Sequence, residues 1–317
     1  MGVKNIFTLI ICSIGFMSFA QNDSIVNEYI TIYPNKISAK LYVLNTSNRF
    51  VISDRNSNLD NKITLVPNER YQIGVGVLFR SISVYFGFTP KVFSVNDYED
   101  DSKLVNFGLE YRFGKHWLQA LAFYYEKGFH AEEHKDGLDL YFPEMKTFKI
   151  GGSTAYVLNE NFSFKTSGFA NEWQSKSTGS FVPRVYYYYT KYTLKKAGFP
   201  DDSHSYDLVL APGYFYNWII ADKFIVSPGA TAGIGMNYTE YDGSKLISAT
   251  YEVGFSGLVG YNTQKFYAGA KGNAIFLKHN FDRGTRVNDK TTLFEFYVGY
   301  RFPAPKKFVD AAKKYKF

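Results

Sequence analysis

The stretch 291–302, with the sequence TTLFEFYVGYRF, constrains the fold more than any other part of this chain. Successive side chains of a β-strand point to opposite faces, so the stretch is analysed in steps of two. One face is large and apolar, whereas the other carries Glu295 and Arg301. An apolar outer face, a polar inner face and a terminal aromatic pair are typical of a membrane β-barrel. We predict that Glu295 and Arg301 face the lumen and that five residues of this closing strand face lipid: Phe294, Phe296, Val298, Tyr300 and Phe302.

The composition fits a barrel built from many such strands. The 317 residues include 27 Tyr and 30 Phe but only 10 Pro. Aromatic residues favour strands and collect at membrane interfaces. No apolar run long enough for a membrane-spanning helix follows the N-terminus, which argues against a helical membrane protein. A soluble β-sandwich is the alternative, but few strands show the polar outer face that it would need.

The connections between the predicted strands fall into two kinds. Several are two or three residues long, and the longer polar ones are 89–103, 128–146, 193–205, 239–247 and 279–289. Short turns on the periplasmic side and long loops on the outside are typical of a membrane β-barrel. At ~22 residues for each strand with its connection, the chain allows about 12 antiparallel strands, with about 14 as the alternative. Counting strand by strand gives an odd number, because the up-and-down order loses its phase between Phe162 and Tyr206. In that count 63–79 is one strand interrupted at Pro67, and 162–169 is another.

The N-terminus predicts a secretory signal peptide over residues 1–20. Lys4 precedes an apolar core at 6–17, and small residues end at Ala20, so we expect the mature chain to start at Gln21. The only cysteine, Cys12, lies in that segment, which leaves the mature protein without a thiol. The rest divides into a periplasmic lead-in at 21–37, an outer-membrane barrel at 38–302 and a lysine-rich C-terminal tail at 303–317.

Charged residues within the strands predict a polar lumen, because a charge facing lipid costs several kcal/mol near the midplane. They either line a pore or form a salt-bridged plug, and we favour the plug because the barrel is narrow and rich in tyrosine. The formal net charge of +7 is dispersed along the chain, so we expect no nucleic-acid partner. The residues predicted to face the lumen are Arg80, Glu110, Arg112, Lys149, Lys165, Arg184, Glu252, Lys271, Glu295 and Arg301.

Two groups of residues resemble catalytic patterns, and the sequence supports neither as a catalytic site. His130-Ala131-Glu132-Glu133-His134 matches the H-x-x-E-H pattern of inverted zinc proteases. That pattern needs a helix to bring both histidines to one face, whereas we place it in a charged extracellular loop and predict no metal. A lipid hydrolase would need a serine paired with a histidine near the lipid boundary. His116, His204 and His279 are available, but no spacing pairs them with a serine, so no catalytic residue is predicted.

Short segments spread from about residue 35 to 302 match, in order, those of one family. They are Lys40-Leu41-Tyr42, Ser47-Asn48-Arg49-Phe50, Val66-Pro67-Asn68, Tyr125-Glu126-Lys127-Gly128-Phe129, Gly179-Ser180-Phe181, Pro212-Gly213-Tyr214 with Asn217-Trp218, and Val298-Gly299-Tyr300-Arg301-Phe302. In these segments the chain resembles the family called domain of unknown function 4421, outer-membrane barrels common in Bacteroidota. The resemblance implies location and fold class. The family carries no known activity and no assigned site residues, so the resemblance implies none here.

These observations predict an all-β, antiparallel transmembrane β-barrel in the outer membrane of a Gram-negative cell. Its activity is uncharacterised, and we favour a structural or interaction barrel with a lumen plugged by side chains. The alternatives are a narrow channel or transporter for small solutes and an outer-membrane lipid-modifying hydrolase. We favour a non-enzymatic role and expect no cofactor.

The expected partners follow from that location. They are outer-membrane lipid and lipopolysaccharide, and the barrel-assembly machinery during biogenesis, because 291–302 resembles the closing-strand signal that this machinery recognises. The lysine-rich tail suggests an anionic periplasmic partner such as peptidoglycan, with a solvated tail as the alternative.

Overall fold

The computed structural model describes residues 25–26, 28–54, 62–68, 71–90, 103–133, 139–167, 171–193, 202–241, 243–280 and 285–315, so the predicted signal peptide lies outside the described residues. The described part contains eighteen strands, a short 3-10 helix at Lys165–Ser167 and one α-helix, α1 (Lys306–Tyr315). The strands are β1 (Ile25–Val26), β2 (Ile30–Ile32), β3 (Lys36–Asp54), β4 (Lys62–Pro67), β5 (Tyr71–Phe79), β6 (Ile82–Phe88), β7 (Lys103–Phe113), β8 (Trp117–Glu133), β9 (Asp139–Tyr156), β10 (Glu172–Gln174), β11 (Thr178–Val182), β12 (Arg184–Thr193), β13 (Asp202–Leu210), β14 (Gly213–Ile220), β15 (Phe224–Tyr241), β16 (Ser244–Asn262), β17 (Phe266–Asn280) and β18 (Thr285–Pro303).

Twelve strands close into an antiparallel ring. The ring runs β3, β5, β6, β7, β8, β9, β12, β13, β15, β16, β17 and β18, and β18 pairs with β3 to complete it. Three more strands lengthen members of the ring, since β4 continues β5, β11 continues β12, and β14 continues β13. Pro183 and Pro212 fall at two of these breaks, where a residue without an N–H does least harm to the ladder. The predicted count of twelve is confirmed, and the alternative of fourteen is wrong.

The two ends of the barrel differ. One end is called here the turn end. The first strand of the ring begins there and the last strand ends there, and the tight turns at this end are 80–81, 114–116, 221–223 and 263–265. Arg80, Ala221 and Asp222 adopt positive φ there, as turns this tight require. The opposite end is called the loop end. Three of its connections are shorter than the sequence predicted, because β8 and β9 continue into 128–146, β15 and β16 into 239–247, and β17 and β18 into 279–289.

The predicted strand 162–169 is wrong, and it explains the odd strand count. Residues 160–167 and 171–177, called here the plug segment, leave the wall at the turn end and return to it at the same place. The Leu158 amide donates to the Phe181 carbonyl at 3.2 Å, and Asn159 bonds both Thr178 and Gly179. The alternation of Phe162 and Phe164 with polar neighbours resembles a strand but reflects packing inside the barrel, where Phe162 is 2% exposed.

The lead-in and the plug segment form a small sheet. In it β2 pairs with both β1 and β10, so the predicted periplasmic lead-in is tied to residues Glu172–Gln174 of the plug segment. The Tyr33 amide donates to the Asn171 carbonyl at 2.8 Å, which extends the same connection. Both parts therefore lie together at the turn end.

The predicted strand 63–79 divides into β4 and β5. The pairing of β4 is unusual, since it contacts β3 on one side and β8 on the other and so bypasses β6 and β7. The Asn68 amide donates to the Gly128 carbonyl at 3.0 Å, beside a bulge in β8. Pro67 ends the first half because it cannot donate to the ladder, as the sequence indicated.

The outer surface of the ring is apolar. On β16, Tyr251, Val253, Phe255 and Val259 are exposed, while Glu252 and its alternate neighbours are buried. The described residues include no helix long and apolar enough to cross a membrane. A continuous surface of exposed valine and phenylalanine is stable where lipid rather than water covers it. The antiparallel transmembrane barrel predicted from the sequence is therefore confirmed.

Part of the predicted C-terminal tail is ordered as α1. The Phe308 ring packs edge-on against Phe79 on the outside of β5, with centroids 6.3 Å apart, and Ala312 is fully buried. The Ala304 amide donates to the Asn35 carbonyl at 2.8 Å, which ties the start of the tail to the lead-in. Lys306, Lys307 and Lys313 remain exposed.

Candidate functional site

The barrel interior holds a cluster of two lysines around one carboxylate. Glu295 on β18 accepts from Lys40 on β3 at 2.7 Å and lies 3.3 Å from the ammonium of Lys271 on β17. The register places Lys271 directly opposite Glu295. The Lys40 ammonium also lies about 5 Å from the ring centres of Tyr42 and Tyr297. Within this first cluster two lysines share one carboxylate.

A second cluster joins the wall to the plug segment. Glu172 of β10 accepts from Arg112 of β7 at 2.7 Å and from the Ser163 hydroxyl at 2.9 Å, and Lys165 lies 3.9 Å away. Lys165 also donates to the Arg80 carbonyl at 2.6 Å. Burial lowers the pKa of Lys165 to about 8, and the nearby Arg112 adds to that effect while Glu172 opposes it. Two cations again share one carboxylate.

Arg184 on β12 is held by aromatic rings. Its guanidinium carbon lies 5.2–5.5 Å from the ring centres of Phe164, Tyr186 and Phe215, and one of its nitrogens donates to the Tyr186 hydroxyl at 2.8 Å. Within the described part of the chain it has no ion pair. Rings attract a cation without neutralising it, so the guanidinium retains both its charge and free N–H groups.

Polar contacts also close the turn end of the lumen. Arg301 is 1% exposed, donates to Thr263 and Asn262, and stacks over Tyr33 at 4.3 Å. Gln174 bonds Asn217 on the wall and two backbone carbonyls. The Trp173 indole donates to the Asp222 carbonyl at 3.1 Å. The plug segment and lead-in are therefore bonded to the wall on several sides.

Above these contacts lies a cavity of about 220 Å³. The plug segment contributes Phe162, Phe164 and Lys165, and the wall contributes Arg184 and Lys271. Most of the remaining lining is apolar or carries a hydroxyl or amide group. It includes Leu78, Ser83, Glu110, Leu118, Tyr186, Phe215, Ser227, Thr231, Ser256, Leu258, Asn273 and Ile275.

Eight of the ten residues predicted to face the lumen lie at inward positions of ring strands. Two do not occupy the predicted positions on the wall. Arg80 lies in the turn after β5, where its side chain donates to the Pro34 carbonyl, and Lys165 lies on the plug segment. The eight wall residues are Glu110, Arg112, Lys149, Arg184, Glu252, Lys271, Glu295 and Arg301.

The interior charges that the sequence did not reveal include Lys40, Glu126 and Glu172. Lys40 and Glu126 are buried at inward positions. Both could have been found from the alternation of the strands, because the outward Leu41 follows Lys40 and outward residues alternate with inward ones along β8. Glu172 gave no periodic signal, because it belongs to a three-residue strand of the plug segment. Its role follows only from the tertiary structure.

The closing strand has its apolar face outward. Phe294, Phe296, Val298 and Tyr300 are exposed, whereas Tyr297 is buried. Phe302 is half-buried, and its ring centre lies 4.8 Å from that of Tyr300 near the turn end. A shift of one residue would bring Glu295 and Arg301 to the apolar surface, so the burial of these charges specifies the register.

The H-x-x-E-H segment does not form a helical metal site. His130, Glu132 and Glu133 belong to β8, and His134 lies outside the described residues. His130 Nε2 lies 3.1 Å from Asn68 Oδ1 and its ring lies against Tyr141. Across the residues that the structure describes, no group of three or more His, Cys, Asp or Glu side chains could hold a metal ion.

The other histidines have structural partners. His116 Nδ1 contacts the Val157 carbonyl at 2.6 Å, and His204 Nδ1 lies 2.8 Å from the Tyr189 hydroxyl on the outer surface. His279 lies 3.6 Å from the Asp289 carboxylate. These contacts orient the rings toward a carbonyl, a phenol and a carboxylate, and they do not assemble a serine–histidine pair.

A closed ring of twelve strands, apolar outside and charged inside, defines a membrane β-barrel. The chain belongs to the family described as "Domain of unknown function (DUF4421)", whose model matches residues 21–302. The family resemblance seen in the sequence is thus confirmed. No curated protein matches the chain.

Several solved structures of bacterial outer-membrane proteins are similar to this chain. The outer membrane protease OmpT from Escherichia coli is 8% identical with a TM-score of 0.40, covering 87% of this chain and 99% of its own. The COG4313 outer membrane channel from Pseudomonas putida F1 is 9% identical with a TM-score of 0.41, covering 90% and 100%. The β domain of the Bordetella autotransporter BrkA is 11% identical with a TM-score of 0.41, covering 84% and 99%.

Proposed function

We propose that this protein is an outer-membrane barrel whose lumen is closed by its own chain, and that it serves as a structural or interaction barrel rather than an open pore. The observation that carries the proposal is the plug segment. Glu172 bonds Arg112 at 2.7 Å, Gln174 bonds Asn217 at 3.1 Å, and Trp173 bonds the Asp222 carbonyl. These contacts reach β7, β14 and the turn before β15, so they span the lumen.

Burial supports a fixed rather than a mobile plug. Asn171, Glu172, Trp173 and Gln174 are all buried, although three of them are polar or charged. A buried charge that loses its partner is strongly destabilising, so movement of Glu172 out of its cluster would have a high cost. Closure by bonded polar groups also accounts for the charges inside the barrel without a transport pathway.

Planar-bilayer recording of the purified mature protein tests the proposal. We expect no ion conductance above that of protein-free bilayers, because the plug segment fills the turn end. Steady conductance of the unmodified protein would support the narrow channel instead.

The proposal includes an orientation and a set of partners. We place the turn end in the periplasm, since short turns and both strand termini lie on that side in bacterial barrels. Outer-membrane lipid and lipopolysaccharide would then surround the apolar face, and the barrel-assembly machinery would engage β18 during biogenesis. The exposed lysines of α1 would face the periplasm, where an anionic polymer such as peptidoglycan is the partner with complementary charge.

A further inference from the structure

The cavity above the plug segment has a lining that combines several charges. Lys165 and Phe164 form part of its floor, Arg184 and Lys271 belong to its walls, and Glu110 is the carboxylate in its lining. The volume of about 220 Å³ lies below the ~300–1,000 Å³ typical of sites for drug-sized ligands. It therefore suits a molecule of few atoms.

The three cations facing the cavity are opposed by Glu110 in its lining and by Glu252 near Arg184, and two of them share further carboxylates with other cations, so the cations around the cavity still outnumber the carboxylates. Lys271 shares Glu295 with Lys40, and Lys165 shares Glu172 with Arg112. The guanidinium of Arg184 contacts rings and a phenol instead of a carboxylate among the described residues. A positive potential inside a low-dielectric barrel is stronger than the same charges would give in water. The cavity is therefore electrostatically suited to an anion.

We propose that this cavity binds a small organic carboxylate, with Arg184 as its principal partner. The planar guanidinium can donate two parallel hydrogen bonds to a carboxylate, which a lysine cannot. Lys271 and Lys165 add charge from the wall and the floor. The apolar groups around them, including Phe215, Leu118 and Ile275, favour a ligand with an aliphatic or aromatic body over a bare inorganic ion.

Hydroxyl groups complete the site. Ser227, Thr231 and Ser256 come from two neighbouring strands, and their side chains lie in the lining with Asn273. They supply donors or acceptors for polar substituents on the ligand. Because Phe162, Phe164 and Lys165 belong to the plug segment, this site rests on the closed barrel proposed above.

The test uses the purified full-length protein in detergent micelles and isothermal titration with benzoate, its neutral isostere benzamide, and benzylammonium. We expect saturable one-to-one binding of benzoate, binding of benzamide weaker by about tenfold or more, and no binding of benzylammonium. Benzoate that fails to saturate, or benzamide that binds equally well, would overturn the proposal.

Two variants separate the roles of charge and space. Arg184→Gln should weaken benzoate by about tenfold while leaving benzamide unchanged, because only the carboxylate uses the guanidinium charge. Ser256→Phe fills the cavity without altering a charge and should abolish binding of both compounds. Its matched control is Val259→Phe on the same strand, which faces outward and should bind as the unmodified protein does. Unchanged benzoate binding by Ser256→Phe would overturn the site even if Arg184→Gln failed to fold.

Conductance tests whether the barrel is closed, whereas titration tests the carboxylate site. Saturable benzoate binding by a protein that conducts steadily would reject the closed barrel and retain the carboxylate site. A silent barrel without benzoate binding would reject the site and retain the closure.

Discussion

Lys40 and Glu295 form a buried ion pair, 2.7 Å long, across the seam where the last strand of the ring meets the first. The two residues are 255 positions apart in sequence, and both side chains are at most 6% exposed. The pair therefore forms only when the ring closes. Lys271 approaches the other oxygen of the same carboxylate, so removal of Glu295 would leave two lysines facing each other without an acid.

Loss of Glu295 should destabilise the barrel strongly. Glu295→Gln leaves the buried Lys40 and the half-buried Lys271 without their shared carboxylate, and we expect the free energy of unfolding to fall by about 3–5 kcal/mol. Equilibrium urea unfolding in liposomes measures this change. Glu160→Gln is the control, because the Lys115–Glu160 pair is exposed and its loss should not shift the transition. A similar small shift in both variants would contradict the role of the seam pair.

A glutamate substitution should have opposite effects on folding at the outer and inner faces of β16. Phe255 is 57% exposed on the outer surface, whereas its neighbour Ser256 lines the cavity. Phe255→Glu places a carboxylate in lipid and should cost on the order of 1–2 kcal/mol of folding free energy. Ser256→Glu places it near Lys271 and should be neutral or stabilising. Folding of both variants into liposomes measures the difference, and equal penalties would argue against the register of this strand.

Removal of the plug segment should open the barrel. Asn159 and Thr178 are already hydrogen-bonded at 3.0 Å, so a two-glycine turn can replace residues 160–177 without displacing the wall. We expect this variant to conduct in planar bilayers where the unmodified protein is silent. Removal of α1 after Pro303 is the matched control, since it shortens the chain outside the lumen and should leave the barrel silent. Silence of both variants would mean that the wall itself closes the lumen.

Lys165 should make stability depend on pH under alkaline conditions. Its folded pKa of about 8 lies below the ordinary value of 10.5, so between these pH values the unfolded chain retains a proton that the folded chain has released. Stability from this group therefore rises with pH in that window, by at most about 1.4 kcal/mol per pH unit. Urea unfolding of the unmodified protein and Lys165→Met isolates the contribution from those of the tyrosines. Identical pH slopes in the two proteins would contradict it.

Cysteine labelling should reveal the orientation. The mature chain predicted from the sequence has no thiol, because Cys12 falls within the expected signal peptide. Ser244→Cys at the loop end should react with an impermeant maleimide in intact cells, whereas Lys223→Cys at the turn end should react only after lysis. The opposite pattern would invert the barrel. Labelling of the unmodified protein would instead indicate that Cys12 is retained.

The strands of the wall could be predicted from sequence because the alternation of their two faces involves only neighbouring residues. Alternation along 291–302 specified which side of β18 is apolar, and the structure shows Phe296 exposed beside the buried Tyr297. Lipid outside and charge inside impose this period of two on every ring strand. The count of twelve followed from chain length for the same reason, since each strand must cross the same thickness of membrane.

The interior could not be predicted in the same way. Phe162 and Phe164 alternate with polar residues as a strand would, yet Phe164 contacts Phe215 and Arg184 inside the barrel and Phe162 packs against Phe164. No local pattern distinguishes a strand from a compact segment whose partners lie on distant strands. Glu172 and Arg112 are 60 positions apart, so their pairing became visible only when the ring was closed.

The pairing of β4 with β8 affects the shape of the barrel at the loop end. Because β6 and β7 end below this pair, the single strand β4 joins β3 to β8 at that level, where β5, β6 and β7 lie between them at mid-height. With neighbouring strands about 4.8 Å apart, the part of the wall between β3 and β8 is shorter there by roughly 10 Å. The wall is therefore narrower at the loop end than at mid-height on the side between β3 and β8. The width of the opening on this side therefore depends on backbone pairing as well as on side chains.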